Sequence, residues 1–351
     1  MRITVLLGGT SVERDVSLAS GLRVAAALRS RGHAVTALDT ARGPLTEAEE
    51  SRMLASGVMH VLPPEQKALE RLSPHGIETA ARMVPARYDT DVVFLGLHGG
   101  HGEDGTIQAL LDLTGVPYTG SGHMASALAM DKDLSKKLFR VAGVPTPDWW
   151  MIRRSDAETW REPVYAARAA AALGLPLVVK PSKQGSTVGL TLVKSADVLG
   201  PAVEEAFRYD DEVMLEAFVP GRELTVGVLG DAALPVGEII PKHEIYDYEC
   251  KYTPGMAEEV FPARLAEGQR AQVQDLAMRA FTALKLSGYA RIDFRLTEEG
   301  TFYCLEANTL PGLTELSLIP QAAAAAGISF PELCERIVEL ALRPRASGES
   351  R

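Results

Sequence analysis

Two carboxylates, an amide and an arginine stand close together near the end of the chain, in a spacing that could bind a cation. They belong to two segments, YARIDFRL (289–296) and TFYCLEAN (301–308), which are rich in strand-forming residues and predict a β-hairpin. A four-residue turn between them predicts three cross-strand pairs, namely Leu296 with Thr301, Asp293 with Cys304, and Arg291 with Glu306.

Side chains alternate between the two faces of a strand, so this pairing separates a polar face from an apolar face. The polar face carries Arg291, Asp293, Glu306 and Asn308, and the other face carries Ile292, Phe294, Tyr303 and Leu305. Polar groups that converge beside a core cost free energy unless a ligand compensates them. Because carboxylate and amide oxygens suit Mg²⁺, we predict a magnesium site at Asp293, Glu306 and Asn308. A structural Arg–Glu cross-strand pair is the alternative.

A Gly/Ser-rich segment, KQGSTVG (183–189), lies between two predicted strands. Such a turn can fold its backbone N–H groups over a triphosphate as a lid, although an ordinary hairpin turn has the same composition. Lys180 stands just before it in the buried strand LPLVVKP, where an ammonium needs a negatively charged partner. A phosphate would serve, so Lys180 favours the lid over the plain turn.

Other motifs carry weaker signals. Residues 100–105 match G-x-G-x-x-G and residues 120–125 match G-x-G-x-x-A, but no acidic residue follows at the spacing of a ribose contact. No P-loop motif occurs in the chain. His98 and His101 could suggest zinc, but a third nitrogen or sulfur ligand is not evident. Lys132 and Lys251 taken alone would be solvated lysines.

The composition excludes several classes of protein. The 351 residues include 46 acidic against 36 basic ones, which argues against a nucleic acid or a membrane surface as partner. Three cysteines without CxxC spacing indicate neither a zinc site nor a disulfide framework, and they fit a reducing cytoplasm. No signal peptide and no apolar stretch long enough for a membrane span is recognisable.

The elements that must position these residues follow an α/β pattern. Strands at 2–7 and 33–38 enclose a helix at 15–30, and this βαβ unit predicts a mostly parallel N-terminal sheet. Further strands and helices alternate through the rest of the chain; the predicted helices span 106–113, 123–130, 131–142, 155–173, 196–208, 266–285 and 331–342. Residues 241–257 form a loop with glycine and prolines, and no chemistry is assignable to 41–88.

Six segments together resemble the ATP-grasp superfamily and, within it, the D-alanine–D-alanine ligase family. They lie in the same order and span nearly the whole chain: LLGGTSVERDVSLASG (6–21), LHGGHGEDGTIQALLDLTGVPYTGSGHMASALAMDK (97–132), VKPSKQGSTVG (179–189), YDYECKY (246–252), ARIDF (290–294) and LEANTLPGLTELSL (305–318). The resemblance implies an α/β ATP-grasp fold in four parts: an N-terminal domain (1–120), a central subdomain (121–215), a C-terminal subdomain (216–345) and a tail (346–351).

The resemblance also implies a role for each matching residue. The ATP contacts would be Lys132, Lys180, Gly185, Ser186, Thr187, Glu216, Ala217, Val219, Glu223 and Lys251. Two Mg²⁺ or Mn²⁺ ions would bind Asp293, Glu306 and Asn308. Glu13, linked through Ser186 and Tyr252, would hold the ammonium of the first D-alanine, with His98 close by and Lys251 on the carboxylate. Arg291 and the Gly312 N–H would stabilise an oxyanion, and Ser317 with Leu318 would receive the second carboxylate.

The implied reaction is ATP-dependent ligation of two D-alanines through an acyl-phosphate, in the cytoplasm and by a homodimer. Three alternatives stay open. One is a ligase that makes a D-alanyl–D-lactate ester, although the chain keeps Tyr252. Another is a different ATP-grasp amino-acid ligase. The third is a nucleotide-binding regulator without ligase activity, which would be expected to lack metal or phosphate ligands.

Overall fold

The structure is a computed structural model that describes residues 1–56, 69, 90–156, 160–253 and 255–343. The interpretations of residues 57–68, 70–89 and the tail from 344 lie outside this part. Three β-sheets organise the described chain. Within these residues, no helix has the length and apolar character needed to cross a lipid bilayer.

The first sheet contains β1 (Arg2–Leu7), β2 (Ala34–Asp39), β3 (Gly43–Pro44) and β4 (Val92–Leu95). Its order is β3-β2-β1-β4, and β1 pairs in parallel with both β2 and β4. The predicted mostly parallel N-terminal sheet is therefore confirmed. The first helices of the chain are α1 (Arg14–Ser30), α2 (Glu47–Ser56), α3 (Thr106–Thr114), α4 (His123–Met130) and α5 (Lys132–Val141), with a 3₁₀ turn at Gly100–Gly102.

The second sheet is antiparallel and contains β5 (Trp149–Arg153), β6 (Leu177–Pro181), β7 (Thr191–Val193) and β8 (Glu212–Ala217), in the order β5-β8-β6-β7. Its helices are α6 (Pro163–Leu173) and α7 (Leu199–Ala206), and 3₁₀ turns lie at Arg154–Asp156 and Ala196–Val198. Helix α6 begins with proline, whose fixed φ and missing N–H suit the first helical position. Of the predicted helix 155–173, α6 confirms the part from residue 163, and residues 157–159 lie outside the described part of the chain.

The third sheet contains β9 (Arg222–Leu229), β10 (Ala232–Ala233), β11 (Gly237–Pro241), β12 (Ala257–Val260), β13 (Tyr289–Leu296) and β14 (Phe302–Asn308). Its order is β12-β11-β9-β13-β14, and β10 pairs with β9. The remaining helices are α8 (Tyr248–Tyr252), α9 (Glu267–Ala283), α10 (Leu318–Ala325) and α11 (Phe330–Leu342). The region predicted as the loop 241–257 thus contains a short helix and the start of a strand.

The hairpin of β13 and β14 forms, but its predicted register is wrong. The turn has five residues, so Leu296 pairs with Phe302, and a bulge beside Asp293 then shifts the register again. Asp293 therefore faces Glu306 instead of Cys304. A bulge inserts one residue into one strand only, which hydrophobic alternation does not reveal in advance.

The bulge also changes which residues lie on each face of the hairpin, compared with the prediction. Three of the four residues predicted on the polar face, Arg291, Asp293 and Glu306, line one cleft. The fourth, Asn308, does not line it but donates a hydrogen bond to Asp293. Ile292 and Phe294 are completely buried on the core side. The expectation for the other two apolar residues is wrong: Leu305 lines the cleft, and Tyr303 pairs with the cleft residue Arg295. Their places in the core are taken by Phe302, Cys304 and Ala307.

Three hydrophobic cores join the sheets to their helices. The N-terminal core contains residues of α11, such as Leu333 and Ile337, so the last helix covers the first sheet. Phe139 of α5 lies in the core of the third sheet, and the second sheet has a separate core with α6 and α7. Burial of a large apolar side chain contributes about 1.5–3 kcal/mol, and these cores fix the strand ends around one cleft.

Candidate active site

A cleft of about 1000 Å³, partly open to solvent, is lined by residues of both the second and the third sheet. Fourteen of the residues singled out from the sequence line it: Lys132, Lys180, Gly185, Ser186, Thr187, Glu216, Ala217, Val219, Glu223, Lys251, Arg291, Asp293, Glu306 and Leu318. The segments predicted to bind phosphate and metal therefore meet, although their lining residues lie up to 174 positions apart in the chain, from Lys132 to Glu306.

Asp293 is held in place by three neighbours. Arg291 donates two hydrogen bonds from Nε and one from Nη2 to its carboxylate, at 2.8–3.2 Å. Thr225 Oγ1 donates to Oδ1 at 2.7 Å, and Asn308 Nδ2 donates to Oδ2 at 3.1 Å. Burial alone would lower the pKa of Arg291, but Asp293 raises it above its ordinary value. The guanidinium thus stays charged beside the carboxylate.

Glu306 lies among cations. Its Oε2 is 3.3 Å from Lys132 Nζ, which also donates to the carbonyl of Gln184 in the lid at 2.7 Å. Burial raises the pKa of the Glu306 carboxyl, but Lys132, Lys251 and Lys180 outweigh it and bring the pKa to about 2. The carboxylate is therefore ionised at any physiological pH, with an excess of positive charge around it that suits phosphate oxygens.

The donor atoms of Asp293, Glu306 and Asn308 are of the kind that binds magnesium. Asp293 and Glu306 occupy paired positions and offer carboxylate oxygens into one cleft. Asn308 uses its amide nitrogen on Asp293, which leaves its amide oxygen as a further candidate ligand. Hard oxygen ligands that leave positions open for water and phosphate are those that Mg²⁺ prefers. The donor set therefore fits the predicted ion.

A buried ion-pair triad closes one wall of the cleft. Lys180 Nζ donates to Glu216 Oε1 at 2.7 Å, and Lys136 Nζ donates to the other oxygen. Burial raises the pKa of Glu216, but the two lysines outweigh it and lower the pKa. Burial lowers the pKa of the Lys136 ammonium to about 8 against the opposing effect of Glu216. Sequence reasoning named Lys180 and Glu216 but missed Lys136, whose signal is a lysine on the buried face of α5.

The strand end after Glu216 forms an apolar patch beside polar groups. Ala217, Phe218 and Val219 line the cleft together with Val178 and Ile239. Glu223 lies nearby, 3.4 Å from Arg295, and its burial raises the pKa of its carboxyl. An apolar slot rimmed by carboxylates and backbone groups is suited to a planar heterocycle with a polar edge.

The lid segment 183–189 contacts Glu13, just before α1, and Tyr246. Ser186 Oγ donates a short hydrogen bond to Glu13, and Thr187 Oγ1 donates to the carbonyl of Tyr246 at 3.0 Å. Ser186 and Thr187 have φ values of 49° and 63°, which non-glycine residues rarely adopt. A Cβ on Gly185 would lie 2.8 Å from Glu13 Oε2, so glycine lets the lid backbone approach this carboxylate.

The segment that carries Lys251 also lines the cleft. Lys251 Nζ lies 5.5 Å from the centroid of the Tyr246 ring, and burial lowers the pKa of its ammonium. Ile245 and Tyr246 line the cleft beside it. The side chain of Tyr252, predicted to link Glu13 and Ser186, lies outside the described part of the structure, so that prediction remains open.

A second group of predicted residues lies beside the cleft and does not line it. The His98 ring is buried, donates from Nδ1 to the carbonyl of Leu310 at 2.8 Å, and has Nε2 3.2 Å from Ser20 Oγ. Burial lowers the pKa of His98, so its ring is neutral and Nε2 accepts from Ser20. Ser20 in turn accepts from the backbone N–H of Leu313 at 3.0 Å.

Gly312 and Ser317 are packed against each other beside this group. A Cβ on Gly312 would lie 2.7 Å from Ser317 Oγ, which also accepts from the N–H of Thr314 at 2.9 Å. Leu318, the next residue, does line the cleft. The segment 310–318 thus contacts His98 through the Leu310 carbonyl and reaches the cleft at Leu318.

Glu103 is a partly buried acidic residue close to Glu13 that sequence reasoning missed. Its Oε2 accepts from the N–H of Gly99 at 2.8 Å. Burial and the neighbouring charge of Glu13 raise the pKa of its carboxyl to about 8. The sequence showed it only inside a glycine motif, and nothing in that pattern indicated that two acidic side chains converge.

Comparisons with known proteins identify the family of this chain. Family models described as D-ala D-ala ligase N-terminus and C-terminus match residues 2–121 and 138–339. The D-alanine–D-alanine ligase of Syntrophotalea carbinolica is 42% identical over 337 residues, which are 96% of this chain and 95% of the relative. The Geotalea uraniireducens ligase is 43% identical over 340 residues, or 97% and 95% of the two chains.

Solved structures show the same similarity in three dimensions. The D-alanine–D-alanine ligase of Bacillus anthracis complexed with ATP has a TM-score of 0.72 and 31% identity, covering 98% of both chains. The Coxiella burnetii enzyme has a TM-score of 0.77 and 30% identity, covering 97% of this chain and 93% of its own. The fold class expected from the sequence is thereby confirmed, and this chain belongs to the D-alanine–D-alanine ligase family.

Proposed function

We propose that the protein joins two molecules of D-alanine to D-alanyl-D-alanine and converts ATP to ADP and phosphate, for cell-wall precursor synthesis. The observation that carries this proposal is the convergence of Lys132, Lys180, Lys251 and Arg291 on the Asp293–Glu306 carboxylates in one cleft. Cations arranged around paired carboxylates suit a metal-bound polyphosphate. The similarity to ligases along almost the whole chain supports the choice of amino acid.

ATP lies between the second and third sheets in this proposal. The adenine occupies the slot at Ala217 and Val219, and Glu216 and Glu223 contact its polar edge and the ribose. The phosphates reach Lys132, Lys180 and Lys251 under the Gly185–Thr187 lid. When bound at Asp293, Glu306 and Asn308, two Mg²⁺ or Mn²⁺ ions would neutralise phosphate charge and orient the γ-phosphate.

Two chemical steps follow. A carboxylate oxygen of the first D-alanine attacks the γ-phosphorus, the bond from phosphorus to the β–γ bridging oxygen breaks, and ADP leaves with an acyl-phosphate formed. The amine of the second D-alanine then attacks the acyl carbon, the bond from that carbon to the phosphate oxygen breaks, and phosphate departs with the proton that the amine nitrogen loses. Arg291 and the Gly312 N–H stabilise the oxyanion of the tetrahedral intermediate.

Separate groups of residues position the two D-alanine substrates. Glu13 holds the ammonium of the first D-alanine and is fixed by Ser186, and the neutral His98 ring lies beside it. Ser317 and Leu318 receive the carboxylate of the second D-alanine. Because the lid touches both Glu13 and Tyr246, its closure joins the three parts of the site and excludes water, which would hydrolyse the acyl-phosphate.

We also propose boundaries near residues 120 and 215 between three domains, a homodimeric assembly, a cytoplasmic location, and no nucleic-acid or membrane partner. The three sheets support the division, since they fall within 2–95, 149–217 and 222–308. The three cysteines are free and buried, which suits a reducing compartment.

The test is ATP-dependent phosphate release with D-alanine, L-alanine, D-serine, or D-alanine plus D-lactate, each with and without Mg²⁺. We expect release with D-alanine only when Mg²⁺ is present, together with dipeptide in equal amount. Release with L-alanine but not with D-alanine would contradict the proposed substrate. Ester formation from D-lactate would favour a ligase that makes D-alanyl–D-lactate. Binding of ATP without its turnover would favour a nucleotide-binding regulator.

A further inference from the structure

Three side chains of different donor chemistry converge outside the cleft, in the segment between β11 and β12. They are His243, Asp247 and Cys250, and one ligand atom from each lies within 4.8 Å of the others. None of the three lines the cleft, whereas Ile245, Tyr246 and Lys251 of the same segment do. The cluster is therefore separate from the proposed ligase site, but its residues alternate along the chain with residues of that site.

Asp247 organises this cluster. Its Oδ1 accepts from the N–H of Cys250 at 2.9 Å, and its Oδ2 lies 2.7 Å from His243 Nδ1. The Cys250 residue is only 2% exposed, while the side chains of His243 and Asp247 are 38% and 33% exposed. The thiol thus closes the inner side of the cluster, and solvent reaches its outer side.

An imidazole nitrogen, a thiolate and a carboxylate oxygen together form a ligand set for a borderline-soft cation such as Zn²⁺, because Mg²⁺ prefers oxygen ligands alone. Three protein ligands plus one water complete a tetrahedral shell, and the exposed outer side admits that water. Two other histidine–aspartate pairs in the described chain, His101–Asp104 and His123–Asp112, have comparable nitrogen–oxygen distances of 3.2 and 2.6 Å. Neither is grouped with a cysteine in the described residues.

We propose that His243, Asp247 and Cys250 bind a thiophilic divalent cation of the Zn²⁺ class, and that the bound ion holds the 243–250 segment in one conformation. An ion at these positions ties the start of the segment to α8, so it fixes the backbone that carries Tyr246 and Lys251. The lid rests on this segment through the hydrogen bond from Thr187 to the Tyr246 carbonyl. The cation would therefore stabilise the closed arrangement of the cleft from outside.

The binding test uses Co²⁺ as a spectroscopic probe, with excess Mg²⁺ present to occupy the oxygen ligands of the cleft. We expect one equivalent of Co²⁺ to produce a thiolate-to-cobalt charge-transfer band, and Zn²⁺ to abolish it by competition. Cys250→Ser should remove the band, and His243→Asn should weaken Co²⁺ binding at least about tenfold. His123→Asn, which breaks a histidine–aspartate pair without a thiol, should bind Co²⁺ like the unaltered protein.

The conformational part is tested by hydrogen exchange with and without Zn²⁺. Amides of 243–252 should exchange more slowly with Zn²⁺ in the unaltered protein and in His123→Asn, but not in His243→Asn. His243 is partly exposed, so this variant keeps the test valid if the change at the buried Cys250 impairs folding. A missing charge-transfer band, a band that survives in Cys250→Ser, or protection that persists in His243→Asn would overturn the proposal. None of these readouts depends on ligase activity.

Discussion

Asp293 and Glu306 are direct cross-strand neighbours on β13 and β14, and both line the same cleft because a bulge follows Asp293 in the register. Their surroundings differ. Asp293 is fixed by hydrogen bonds from Arg291, Thr225 and Asn308, whereas Glu306 faces the ammonium groups of lysines from three separate segments. The Asp293 carboxylate is thus held in one orientation, and the Glu306 carboxylate is surrounded by positive charge.

Replacing Glu306 with glutamine keeps its shape and removes its charge. Loss of a partner that only orients a metal ligand commonly reduces activity 10–100-fold, so we expect loss of the ligand itself to lower kcat at least about 100-fold. Initial rates of phosphate release at saturating ATP and D-alanine measure this. Glu298→Gln changes an exposed carboxylate in the turn of the same hairpin and should leave kcat unchanged. Near-normal turnover by Glu306→Gln would refute the metal assignment.

The contact between Ser186 and Glu13 should make closure of the lid depend on binding of the first D-alanine substrate. Hydrogen bonds to charged groups contribute about 1.5–3 kcal/mol, so Ser186→Ala should lower kcat/KM for D-alanine roughly 10- to 100-fold. A double-mutant cycle with Glu13→Gln isolates the pair, and the two losses should not add. Ser329→Ala, at an exposed serine far along the chain, serves as the control. Strictly additive effects would mean that the two side chains act independently.

Lys136 should matter for stability much more than its neighbour Lys137. Lys136 is completely buried against Glu216, and removing one partner of a buried ion pair costs about 3–5 kcal/mol. Lys137 pairs with Asp133 at the surface, and an exposed pair contributes about 0–1 kcal/mol. Urea unfolding of Lys136→Met and Lys137→Met measures the difference. Equal free energies of unfolding for the two variants would contradict the triad.

Glu103 should make stability depend on pH. Its pKa is raised from 4.5 to about 8, so the folded state binds a proton more tightly than the unfolded state. Its contribution is therefore fully present below pH of about 4.5 and is lost as the pH rises to about 8. Glu103→Gln should flatten the fall in unfolding free energy across this window, while Glu298→Gln should leave the slope unchanged. An unaltered slope in Glu103→Gln would mean that this carboxyl ionises normally.

Much of the fold follows from local patterns in the sequence. Strong periodicity predicted β1, α1 and β2 almost to the residue, because the buried stripe of α1 and the apolar strands leave little ambiguity. The strands β5, β11 and β12 and the helix α10 were not predicted. They are short, and their stability depends on neighbours in the sheet or core that a local pattern does not contain.

The candidate site was predictable in its residue types but not in its geometry. Alternation placed Asp293 and Glu306 on one face, yet the bulge that makes them neighbours depends on the sheet as a whole. The partner of Lys180 was expected to be a phosphate; in the structure Glu216 fills that role, together with Lys136. Glu103 was missed because its proximity to Glu13 arises from two loops at the same edge of the first sheet.

The most direct measurement of the central claim follows oxygen from substrate to product. D-alanine labelled with ¹⁸O in its carboxylate is incubated with the enzyme, ATP and Mg²⁺, and the released phosphate and dipeptide are analysed by mass spectrometry. A ligase that forms an acyl-phosphate transfers one carboxylate oxygen to phosphate, so each dipeptide should be matched by one phosphate carrying a single ¹⁸O. Unlabelled phosphate, or labelled phosphate without D-alanyl-D-alanine, would contradict the proposed reaction.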